Sequence, residues 1–196
     1  MLEVELLKNI KTTKKSGNEK FIGMEHNLLE YWSWAHSDIA SNAERGKLAE
    51  YIVSCALKSR SACRTEWDAV DVISSDGIKV EVKSSAYLQT WKQNNPSNIR
   101  FDIAPKNSWH SDTNTFSEVR CRSAEVYVFC VFANKNAETA NPLDLNQWEF
   151  YVLSTSVLDE QMPLQKTAGL SSLLKLGAQK TDFQSLHFEV KKAAKQ

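Results

Sequence analysis

Glu66–Gln89 reads EWDAVDVISSDGIKVEVKSSAYLQ, and this stretch decides the fold. Two runs rich in β-branched residues, Trp67–Ile73 and Ile78–Lys83, predict a pair of strands, and Asp76-Gly77 between them predicts the turn of a hairpin. Val70, Val72, Val80 and Val82 set that hairpin close to a core. Four charged residues stand among them: Asp68 and Asp71 on the first strand, Glu81 and Lys83 on the second. A charge in such surroundings pairs, binds a metal or takes part in chemistry, because desolvating it alone is costly.

Residues two apart on a strand share a face, so Glu81 and Lys83 point the same way. Opposite residues of an antiparallel pair lie about 5 Å apart, and the length of the turn decides which aspartate joins them. A two-residue Asp76-Gly77 loop puts Asp68 on the face of Glu81. A three-residue loop, Ser75-Asp76-Gly77 with Gly77 left-handed, sets Asp71 directly opposite Glu81. We favour the second register, which gives the four valines sensible faces; Asp68 stays as the alternative. Two facing carboxylates repel unless a cation lies between them, and hard oxygen ligands with room for water suit Mg²⁺, with Mn²⁺ as an alternative. An ammonium beside such an ion can hold a phosphate, stabilise its developing charge or position an attacking water.

Asp71 followed by Glu81-Val82-Lys83 at the end of the next strand resembles the signature of the PD-(D/E)XK phosphodiesterases, a superfamily that includes restriction endonucleases and Holliday-junction resolvases. The spacing of ten from Asp71, or of thirteen from Asp68, lies within the range the superfamily uses. The proline that names the motif is absent, Val70 preceding Asp71 and Trp67 preceding Asp68. The resemblance implies a restriction-endonuclease-like core of helix, three-stranded meander, helix and further strand, and a Mg²⁺-dependent nuclease that hydrolyses DNA in restriction, repair or defence. It implies that Asp71 and Glu81 hold the metal, that Lys83 serves the phosphate and the water, and that an acid from the preceding helix supports the site, a place Glu50 occupies. RecB-like members carry a glutamine and a tyrosine after the catalytic strand; Gln89 and Tyr87 match them in kind but not in order. Dimeric cutting is common among nucleases of this size, so a homodimer stays open, although no heptad or apolar patch marks an interface. A catalytically inactive nucleic-acid-binding or assembly module with the same fold is the rival reading.

The triplet itself is common: Glu189-Val190-Lys191 repeats it near the C-terminus without a preceding Asp-bearing strand, and is read as a solvated coincidence. Context therefore carries the weight. Ser41-Asn42-Ala43-Glu44 fits a capping box that opens a helix to about Leu57, with Leu48, Ile52, Cys55 and Ala56 as its apolar stripe and Glu50 on a second face. An earlier helix is expected over 24–36. After Lys83, Ser84–Trp91 is expected to start a short helix. Ile99–Ala104 reads as the third strand, Ala124–Phe132 as a strand covered on both faces, and Trp148–Leu153 as another. Residues 105–117 read as a polar loop. Leu170–Leu176 reads as a helix stopped by Gly177, and the Lys-rich tail as solvated.

The 196 residues, 42% of them hydrophobic, suffice for one well-buried domain. The expectation is a single α/β domain over 1–196, with a central mixed sheet of about five strands flanked by helices and the nuclease-like core at about 41–132. Lys plus Arg and Asp plus Glu both number 24, so nucleic acid must be met by a local basic patch. Arg45, Lys47, Arg120 and Arg122 are its candidates, with lysines near the N-terminus in reserve. No apolar run approaches the roughly 20 residues of a membrane span and no signal-peptide pattern opens the chain, so a cytoplasmic protein with no membrane contact is expected. Cys55, Cys63, Cys121 and Cys130 lack C-x-x-C spacing and the four histidines are scattered, which argues against zinc.

Overall fold

A computed structural model describes residues 13–59, 61, 63–65, 69–110 and 115–196, with the backbone alone over 108–110 and 115–118. Trp67 and Asp68 lie outside the described residues, as do the first N-terminal lysines. In chain order the elements are α1 (Leu28–His36), α2 (Asn42–Ala56), β1 (Val72–Ile73), β2 (Lys79–Ala86), β3 (Arg100–Asp102), β4 (Lys106–His110), β5 (Thr115–Cys121), β6 (Val126–Phe132), β7 (Trp148–Ser154), α3 (Thr155–Gln161), β8 (Thr167–Gly169), α4 (Leu170–Lys175), β9 (Gln179–Thr181) and α5 (Leu186–Ala193). The central sheet is mixed and five-stranded in the order β1-β2-β6-β7-β9, with helices on both sides.

Every residue of β6 is buried. It pairs parallel with β2 and antiparallel with β7, which is why its sequence is apolar without alternation. On one face Val80, Val82, Val128, Phe150 and Val152 pack against Ile52 and Val53 of α2 and Leu186 and Val190 of α5. On the other, Phe129, Tyr151 and Leu153 meet Phe101, Leu158 of α3 and Leu173 of α4.

The hairpin turn has three residues. Val72 pairs with Val80 and Ile73 with Lys79, Ser74 N–H donates to the Ile78 carbonyl at 3.0 Å, and Gly77 has φ of 87°. A left-handed residue at the end of such a loop favours glycine, which lacks a Cβ.

Several expectations need correction. The first strand is only Val72–Ile73, because residues 69–71 form bends. β2 runs on to Ala86, where a helix was expected from Ser84: Ser84 and Ser85 stay in register with Cys130 and Val131, and the parallel partner holds them extended. β3 leaves the central sheet and pairs with β8, so the third strand of a meander is replaced beside β2 by β6. Within the segment expected as a loop, Lys106–His110 and Thr115–Cys121 are strands: β4 and β5 form a two-stranded ribbon, which needs no apolar alternation when it lies outside a core. Ser41 does cap α2, accepting from Glu44 N–H at 3.4 Å, but the Glu44 carboxylate binds His36 at 3.0 Å and Lys47 at 2.8 Å. The complete capping box belongs to α1, between Asn27 and Glu30. The buried face of α2 is Ala49, Ile52, Val53 and, at its cap, Leu57, whereas Cys55 is exposed. The C-terminal tail is not solvated: Leu186 and Val190 are fully buried. No helix among the described residues is long and apolar enough to cross a membrane.

Candidate active site

Because β1 is so short, no strand among the described residues pairs with that edge of β2 beyond Val80. Val82 N–H finds a side chain instead, donating to Asp71 Oδ2 at 2.8 Å. The aspartate is thereby fixed to the strand that carries the other two charges. Continuing the Val72–Val80 register by one residue sets Asp71 across from Glu81, as the three-residue turn requires. Glu81 and Lys83 share the β2 face above Tyr127 and Phe129 of β6, and Lys83 Nζ lies 2.5 Å from Glu81 Oε1. Both side chains are largely enclosed, at 17% and 15% exposure.

Burial raises the Asp71 carboxyl from its ordinary 3.8 to about 6, with the negative charges of Glu81 and Glu50 adding and the Val82 N–H and Lys83 opposing. Burial works against the charge of Lys83, but Glu81, Asp71 and Asp102 outweigh it, and the ammonium holds its proton more tightly than usual. Lys83 therefore stays a fixed cation at neutral pH.

Glu50 approaches from the other side. It sits on α2, is 17% exposed, and is held by Arg64, whose Nε lies 2.5 Å and Nη2 3.3 Å away. Glu50, Arg64 and Asp71 line a cleft of about 330 Å³, to which Lys14, Lys47 and Lys58 add positive charge. Asp71 thus stands at a sheet edge between Glu50 on one side and Glu81 with Lys83 on the other. Among the described residues no three Asp, Glu, His or Cys side chains are close enough to cage a metal ion. Two carboxylates with the remaining positions filled by water is nevertheless the usual way in which proteins hold Mg²⁺, and the crowding that raises Asp71 is the kind a cation relieves. The donor set fits such an ion.

Two basic candidates are structural. Arg45 is buried, donating to the Ala40 carbonyl at 2.8 Å and to Asn42 Oδ1 at 2.5 Å, which ties down the entry to α2. Arg122 is buried too; it donates to the Ile103 and Met162 carbonyls, each at 2.8 Å, and to Asp159 at 2.5 Å. A guanidinium enclosed in that way is not presented to a phosphate. Lys47 and Arg120 remain at the surface. Gln89 donates its amide to the Ala86 carbonyl at 3.0 Å and so braces the turn after β2, while Tyr87 lies under Lys135 Nζ at 4.3 Å. Sequence reasoning passed over Arg64 and Lys106. Lys106 Nζ is 3.8 Å from Glu81 Oε1 and 3.9 Å from Asp102 Oδ2. Its only signal was a lysine after Pro105, in a segment read as loop.

Residues 5–172 match the family model of bacteriophage T4 endonuclease IV, a span that takes in α1 through β8 and every residue of the site. No curated protein matches the chain.

Proposed function

The chain belongs to the bacteriophage T4 endonuclease IV family, and from that premise we propose a Mg²⁺-dependent DNA endonuclease of the PD-(D/E)XK kind, working as one domain through Asp71, Glu81 and Lys83. The observation that carries this reading is the Asp71 carboxylate bound to Val82 N–H on the strand that also presents Glu81 and Lys83. A divalent ion held by Asp71 and Glu81 would polarise a phosphoryl oxygen and lower the pKa of a bound water. Lys83, charged and fixed, stabilises the negative charge that grows on the phosphate oxygens as water attacks phosphorus and the sugar alkoxide leaves. Glu50 adds negative charge on the cleft side. The lysines of the cleft supply the local positive field that a chain of zero net charge needs in order to draw in a polyanion.

A catalytically inactive nucleic-acid-binding module is the second reading, and the 2.5 Å Lys83–Glu81 pair favours it, since that contact already neutralises one carboxylate. Cleavage separates the two. Linear, supercoiled and branched DNA are incubated with the protein and Mg²⁺, Mn²⁺ or chelator, beside Lys83→Ala and the exposed Lys195→Ala. Metal-dependent cutting, reduced about 10²-fold or more by Lys83→Ala alone, is the expected result. No cutting by the native chain, together with no metal uptake in calorimetry, leaves the binding module.

A further inference from the structure

Glu81 faces two ammonium groups that differ in kind. Lys83 is enclosed and 2.5 Å from Oε1; Lys106 is 59% exposed and 3.8 Å from the same oxygen. The second lysine comes from a different element. It opens β4, where the chain passes from β3 into the ribbon outside the central sheet, and Asp102 at the end of β3 steadies it at 3.9 Å. Neither contact is a close hydrogen bond, and Asp102 is itself 55% exposed. A long, flexible ammonium held loosely by two carboxylates at the rim of an acidic site can exchange them for a stronger anion at small cost.

We propose that Lys106 is a substrate-binding residue of this site, contacting a backbone phosphate of the nucleic acid next to the one that Lys83 serves. The proposal rests on the nuclease reading for the identity of the anion. Carboxylates leave no room for a polyanion unless a cation faces it, and Lys106 is the exposed lysine that reaches Glu81 among the described residues. A phosphate that takes Lys106 also frees Glu81 of that charge while Lys83 stays in place. The contact is to a phosphate, so it carries no base preference.

The test is DNA binding in chelator, from about 50 to about 200 mM salt, by the full chain with a defined duplex and with one of its strands. Loss of one phosphate contact lowers the slope of log K against log salt by about 0.9 on the duplex and about 0.7 on the single strand. Lys106→Ala is expected to show that change, with about tenfold weaker binding and unaltered thermal unfolding, and Lys106→Arg to restore it. In cleavage assays Lys106→Ala should raise KM and leave kcat nearly unchanged, the mark of a contact equal in ground and transition states. An unchanged slope in Lys106→Ala, or no binding by the native chain at the lowest salt, overturns the proposal. Lys83→Ala keeps the two readings apart. If it abolishes cutting while Lys106→Ala binds normally, only Lys106 loses its role; if it cuts normally, the site reading fails, and the chelator slope still decides Lys106.

Discussion

Replacing Asp71 by Asn should stabilise the protein at neutral pH. The native carboxyl releases its proton at about 6, against 3.8 for the ordinary group, because the fold buries it beside Glu81 and within the field of Glu50. Folding therefore favours the protonated form. The stability tied to that proton is complete below about pH 4, where both folded and unfolded chains hold it, and is lost as pH rises through about 6. A shift of about 2 units at 1.36 kcal/mol per unit gives a loss of about 3 kcal/mol. Asn has no proton to lose, and its carbonyl can still accept from Val82 N–H, so it escapes the loss. Urea unfolding in chelator, from about pH 4 to about pH 8, should show the two chains nearly equal in acid and Asp71→Asn ahead by up to about 3 kcal/mol at the alkaline end. Adding Mg²⁺ should then raise the native chain alone, by RT ln(1 + [Mg²⁺]/Kd). A variant less stable than the native chain at pH 8, or a gap that does not change with pH, refutes the electrostatic account of Asp71.

Arg122→Ala should cost about 2–4 kcal/mol in urea unfolding, since it strands two carbonyl acceptors, although the half-exposed Asp159 can turn to water; equal stability would return Arg122 to the list of phosphate ligands. Arg120→Ala, on an exposed position, should stay within about 0.5 kcal/mol of the native chain. Leu186→Ala should cost about 2–5 kcal/mol and Phe188→Ala, 66% exposed on the same helix, little; a small effect of Leu186→Ala would mean that α5 does not close the core.

The hairpin was readable because its period-two valines and its turn residues agree: Ser75, Asp76 and Gly77 demand a left-handed last residue, and that loop length alone brings Asp71 over Glu81. β6 was readable from composition, since only a strand paired on both sides and covered on both faces is apolar throughout. What failed were readings that depend on distant partners. Whether Ser84 continues a strand or caps a helix is settled by Cys130, forty-six residues on, and whether Arg122 meets solvent is settled by Asp159 and Met162. β3 carries good strand residues, Arg100-Phe101-Asp102, but its hydrogen bonds go to β8, which no local pattern announced. The place of Glu50 on the helix before the hairpin was visible; that Arg64 would grip it was not, because the two are joined only when the chain folds back over α2.

The two Glu-Val-Lys triplets show why motif and site differ. In β2 the strand period sends Val82 into the core against α2 and leaves Glu81 and Lys83 together on the opposite face, 2.5 Å apart. In α5 the helical period buries Val190 equally well but turns its neighbours away from each other: Lys191 reaches Asp76 at 3.1 Å, and Glu189 meets Lys192 at 3.8 Å. Neither side chain of the second copy faces a buried carboxylate. The grouping of these charges thus comes from three conditions acting at once: a period of two, a strand edge that the two residues of β1 leave uncovered, and an aspartate that meets that edge with its side chain. The second triplet has a structural use, since Lys191 and His187, the latter 2.6 Å from Asp76, clasp α5 to the very turn that fixes the register of the first. Removing that clasp with Asp76→Ala leaves Gly77 and the turn length in place, so a loss confined to stability, with cleavage kept, is what this division of roles requires.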